Sequence, residues 1–188
     1  PPHPASVLCI GGNYAFRSAR EVPEFQCITY EYGDFSMTCE SGNATGYMRK
    51  FPGEVRFGDK WPHWPTSATR VEIYGTKGLM YLGRHGCGWQ VMVEGGRIVE
   101  QDKGYFPDKW HQPNFIDCVR NRRRPNADIE LAHRSACLVH LANTSFRVGR
   151  KQLYFDGAAE RFTNSDEANA LMRPKYRKQY RKIGRAHV

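Results

Sequence analysis

Five side chains in one irregular stretch have the chemistry to hold a polyhydroxylated ring. Residues 42–69, GNATGYMRKFPGEVRFGDKWPHWPTSAT, carry Arg49, Lys50, Trp61, His63 and Trp64. Indole faces stack on the C–H faces of such a ring, while charged and imidazole groups take its hydroxyls. The same residue types are enriched where subunits meet, so an oligomer contact is the plainer account of this loop. Two further histidines are candidates. His111 precedes a helix expected to begin near Pro113, and His133 lies early in the next one. A histidine at a helix N-terminus is held neutral by the local dipole and can donate or accept near neutral pH. Simple solvation or capping is the plainer account of both.

Other chemistries find no support. Gly86-Cys87-Gly88 runs into Trp89, Gln90 and Val91, which is no dinucleotide turn, and the glycines at 42 and 46 are not followed by the Lys-Ser/Thr of a phosphate loop. The six cysteines include no C-x-x-C pair and mostly sit among apolar residues. They are expected to be buried thiols, with neither a metal site nor a disulfide framework. No catalytic group and no cofactor-binding residue is expected within these residues.

The elements that must position the candidates are mostly strands. Residues 5–16 favour a strand with a bend at Gly11-Gly12. In 24–32, Phe25, Cys27 and Thr29 point one way and Gln26, Ile28, Tyr30 and Tyr32 the other; Gly33-Asp34 then turns into 35–41. A sheet apolar on both faces has to be covered on both. The long loop at 42–69 follows, and a loop of that length is more often functional than idle. Two more hairpins are expected, turning at 75–78 and at Gly95-Gly96.

Helices come next. One is expected from Pro113 to Pro125, the other from an N-cap at Asp128 to Gly149, with Ala132, Ser135, Ala136, Val139, Asn143 and Phe146 as the stripe packing on the sheet. A strand at 152–156 and a helical piece at 165–172 complete the pattern. The class is α+β: an open, mostly antiparallel sheet with helices packed on one face.

At 188 residues, the length suits one domain at 1–172, followed by a basic tail at 173–182. The net charge of +9 is local. Arg120, Arg122, Arg123 and Arg124, together with the arginines and lysines at 173–185, account for the whole excess over the acids. The first cluster suits the negative end of its helix. The tail interleaves tyrosine with charge, which makes a basic β-rich nucleic-acid-binding module the alternative function. No stretch is apolar enough to span a membrane.

Four ordered stretches carry a resemblance: GGNYAF with REVPEFQCITYEYGD, then VEIYGTKGLMYLG, then HQPNFIDCVRNRRRPNADIELAHRSACLVHLANTSFRVGRKQLYFD, then ERFTNSDEANALMRPKYRK. Together they resemble the C-terminal half of the bacterial glucose–fructose oxidoreductase, inositol dehydrogenase and MocA family (Gfo/Idh/MocA). The resemblance implies a substrate-binding and oligomerisation domain that follows a Rossmann domain absent from this chain. It implies that NAD or NADP binds the full-length parent and not this fragment. A sugar-like alcohol is the implied substrate, and a homo-oligomer through the sheet face and a cytoplasmic location are expected. Residues 183–188, IGRAHV, read as the translation of an adapter-like oligonucleotide and are expected to stand in for the natural C-terminus.

Overall fold

The computed structural model describes residues 2–15, 20–42, 46, 48, 51, 53–56, 60–84, 87–104 and 106–173. These gather into two compact units, one from Pro1–Ala44 with Ile129–Val188, the other from Thr45–Asp128. The α+β class is observed, and its strands are divided between two open antiparallel sheets, one in each unit.

The first unit is a five-stranded sheet with order β3-β2-β1-β8-β9. Its strands are β1 (Ser6–Gly12), β2 (Phe25–Glu31), β3 (Ser36–Gly42), β8 (Leu153–Asp156) and β9 (Arg161–Phe162). Gly33 adopts a φ of 88° in the β2–β3 turn, a conformation glycine takes without the Cβ clash that other residues meet. Pairing of Val7 with Tyr30 and of Cys9 with Ile28 puts these four side chains on one face. Leu153 and Phe155 of β8 and Phe162 of β9 extend the same core.

Helix α3 (Ile129–Arg147) covers that face with Leu141 and Ala142, supported by Leu138 and Phe146. The expected stripe is therefore rotated. Ala132, Ser135, Ala136 and Val139 are exposed, and Asn143 and Phe146 are half-buried. Both stripes have helical spacing; the bulkier one buries more apolar area and is the one that packs. Ser145, fully buried, ties helix to sheet: its Oγ accepts from the Cys9 N–H at 2.9 Å and donates to the Lys151 carbonyl at 2.7 Å. Tyr30 donates its hydroxyl to the Leu138 carbonyl at 2.8 Å. A short helix, α4 (Asp166–Leu171), is capped by Ser165, whose Oγ accepts from the Ala168 N–H at 3.1 Å.

The second unit holds α1 (Gly53–Arg56), a short 3-10 turn at Trp64–Thr66 and the four-stranded sheet. That sheet runs β4 (Arg70–Tyr74), β5 (Leu79–Gly83), β6 (Trp89–Val93) and β7 (Arg97–Asp102), in that order. Helix α2 spans Asp108–Asn121, so it starts before the expected Pro113 and contains that proline. The Pro107 carbonyl opens it by accepting from the N–H groups of Trp110 and His111. Pro113, the sixth residue of the helix, leaves the Lys109 carbonyl without its ladder partner. Arg120 occupies the last turn, and Arg124 pairs with Asp128 at 2.6 Å.

The cysteine expectation holds for Cys9, Cys87 and Cys118, which are buried; Cys27 and Cys137 are half-buried and Cys39 is exposed. All six are free thiols. Burial pushes the Cys9 thiol up to about 11, reinforced by Cys27 and Cys39, so it is an inert core thiol. The tail from residue 174 onward lies outside the described residues.

Candidate functional site

The loop before β4 is where candidate side chains gather. Its backbone is knitted into a single turn, since the His63 carbonyl accepts from the Thr66 N–H at 3.1 Å and from Ser67 Oγ at 3.0 Å. The Trp64 carbonyl accepts from the Ser67 N–H, and Arg70 reaches back to the Ser67 carbonyl at 3.0 Å. This turn lies on one face of the four-stranded sheet. Trp64 stacks on Tyr81, with centroids 5.3 Å apart and planes 6° from parallel, and Phe51 meets its edge at 6.3 Å. Gly83 makes room beneath: a Cβ there would come within 2.6 Å of Cys87 Cβ and 3.2 Å of the Trp64 ring.

Trp64 is thus committed to the interior, 4% exposed, with both ring and N–H engaged, and offers no open face to a sugar. Trp61 and His63 stand differently. Trp61 is half-buried at the edge of the same cluster, with Lys103 Nζ 5.5 Å from its ring centroid. His63 is exposed, its Nδ1 held 3.2 Å from Thr66 Oγ1. Arg49 and Lys50 lie outside the described residues.

The two other histidines are in separate places. His111 is exposed in the first turn of α2, inside the helix and not ahead of it. His133 belongs to the first unit, where its Nε2 lies 2.7 Å from Glu160 Oε1 and 3.5 Å from Cys137 Sγ. It borders an open cleft of about 620 Å³ that His3, Glu130, Arg134 and Asp156 also line. Glu130 pairs with Arg134 there. Among the described residues, no three His, Cys, Asp or Glu side chains gather to hold a metal ion. All pairings between the described strands are antiparallel.

Residues 93–182, from the end of β6 through both long helices to the tail, match the Gfo/Idh/MocA description "Oxidoreductase family, C-terminal alpha/beta domain". That stretch belongs to the C-terminal domain of the Gfo/Idh/MocA oxidoreductase family. Solved structures share its fold. One is yvaA of Bacillus subtilis, designated an oxidoreductase, at 10% identity and a TM-score of 0.50, matched over 82% of this chain and 47% of that one. Another is a protein of Klebsiella pneumoniae with the same designation, at 12% identity and a TM-score of 0.50, matched over 90% and 47%. The chain therefore spans about half the length of these oxidoreductases. No curated protein matches it.

Sequence reasoning overlooked the polar residues that hold the loop down. Gln90, buried on β6, accepts from Trp64 Nε1 at 2.7 Å and donates to Gln101 Oε1 of β7 at 2.7 Å. The cross-strand row through Glu72, Tyr81, Gln90 and Gln101 lies on the face under Trp64. Glutamine within WQVMV has the alternation of an ordinary half-exposed strand, so only the partner loop reveals its burial. Glu160, the partner of His133, was likewise missed, because its turn between β8 and β9 has no periodic signal.

Proposed function

We propose that the chain is the substrate-side half of an NAD(P)-dependent oxidoreductase acting on a sugar or sugar-like alcohol. It contributes substrate contacts and an oligomer face, and the nicotinamide, which accepts or gives the hydride, is held by a separate Rossmann half. Trp61 and His63 are the substrate contacts the geometry favours, joined by Arg49 and Lys50; His111 and His133 are secondary candidates. Trp64 anchors the turn that carries His63.

The observation that carries this reading is the open face of the five-stranded sheet. Opposite α3 it exposes Ile10 (50%), Phe25 (40%) and Tyr154 (49%), a run of apolar surface that suits burial against a second copy. The family match and the half-length of the chain agree with it. No helix among the described residues is long and apolar enough to cross a membrane.

Calorimetric titration tests the division of labour. NADH and NADPH should give no saturable heat with this chain, and saturable heat would overturn the proposal. A panel of hexoses and inositols titrated into the chain, followed by Trp61 and His63 NMR signals, tests the substrate role; signals unmoved by every sugar would remove these two residues from it. Sedimentation should show association that Ile10→Asp abolishes.

A further inference from the structure

Trp64 is anchored by more than apolar contact. Its indole N–H and the side chain of Gln90 are each buried with only 4% of their residue exposed, and they face each other at 2.7 Å. An indole N–H buried there without a partner is costly, so the bond selects one placement of the ring against alternatives that slide over Tyr81. Gln90 is itself oriented. Its Nε2 donates to Gln101 Oε1, which leaves its Oε1 facing Trp64 and fixes the amide against rotation. A strand leucine at 90 would give the same bulk without this directional hold.

What Trp64 holds follows from the backbone bonds around it. The carbonyls of His63 and Trp64 are both tied to Ser67, and the Ser67 carbonyl to Arg70 at the start of β4. Displacing the indole would move this turn, and the exposed His63 ring with it. We propose that Gln90 is a positioning residue: through Trp64 it pins the turn at 63–67 to the four-stranded sheet and sets where the His63 imidazole stands. Its importance for the reaction rests on the reading above, that this loop faces the substrate.

The test is NMR of the full chain, wild-type against Gln90→Leu and Gln90→Glu, with no sugar present. In Gln90→Leu the Trp64 indole proton should exchange with solvent about tenfold faster or more, as expected when a buried hydrogen bond of this size is lost. The His63 ring signals should shift, while the strand amides at 79–83 change by less than about twofold. Gln90→Glu keeps an acceptor for the indole, and the Gln101 amide, turned over, can donate its N–H to the second carboxylate oxygen, so the His63 signals should return to their wild-type positions. If Gln90→Leu does not fold, Trp64→Phe replaces it, keeping a ring without the N–H, and shifted His63 signals are again expected. His63 signals that stay put in the variant that folds would overturn the proposal. Strand amides that accelerate as much as the loop would do so too, because Gln90 would then be supporting the sheet alone. No ligand enters this experiment, so its failure is separable from a failure of the sugar titration.

Discussion

The two sheets each cover one face, with different materials. In the five-stranded sheet a helix does it: α3 lays Leu141 and Ala142 over Val7, Cys9, Ile28 and Tyr30, and β8 and β9 add Leu153, Phe155 and Phe162. In the four-stranded sheet a loop does it, with Phe51, Trp64 and Cys87 as the buried core among the described residues and a chain of hydrogen bonds from Trp64 through Gln90 to Gln101. Stability in the first region comes from apolar area. In the second, a smaller area is supplemented by direction. A loop so held presents side chains in fixed places, and loops held on a rigid scaffold are where binding residues are commonly found.

The sharpest way to break this contrast is to open the apolar core. Leu153→Ala, on β8 at a side chain 1% exposed in the core that α3 covers, should cost about 2–5 kcal/mol in urea unfolding. A loss below about 1 kcal/mol would show that the site collapses freely and that the core is not close-packed. Ser145→Ala comes next. It leaves the Cys9 N–H and the Lys151 carbonyl without their shared hydroxyl and should cost about 1–3 kcal/mol by the same measurement. An unchanged midpoint would mean that the helix-to-sheet tie contributes nothing.

The smallest effect concerns pH. Cys9 has its folded value raised from 9.0 to about 11, and burial raises the Tyr30 hydroxyl as well. Because the unfolded chain gives up these protons first, their contribution is complete below pH 9 and declines as the pH rises through 11. Urea midpoints compared at about pH 8 and about pH 10.5 should fall at the higher value. A rising midpoint would contradict the sign.

Strand periodicity was the most legible part of the chain. Alternation in 24–32 assigned Phe25, Cys27 and Thr29 to one face and Ile28 and Tyr30 to the other, and the observed register agrees. Turns at Gly33, 75–78 and Gly95-Gly96 were readable because glycine marks the conformations they need. Less was legible where two solutions share one period. The α3 sequence offers a small-residue stripe and a leucine stripe, and the contact with β1 decides between them. β9, two residues long, is too short to carry any pattern. Of the candidate site, the loop could be read from residue type, but its inward and outward members could not. Trp61 and Trp64 look alike in sequence; a glutamine 26 positions beyond Trp64 assigns it to the interior.

The chain order of the two units has a consequence for synthesis. The first unit is assembled from both ends of the sequence, with Thr45–Asp128 set between its parts. β1, β2 and β3 therefore leave the ribosome well before α3 and β8, the elements that cover their apolar face. At roughly 5–20 residues per second, that gap lasts several seconds. During it, Val7, Cys9, Ile28 and Tyr30 have no native cover, whereas the four-stranded sheet, made of successive hairpins, can form from neighbours already synthesised. The nascent chain is most vulnerable to aggregation in this interval, and a chaperone acting on the early hairpins would have its largest effect there.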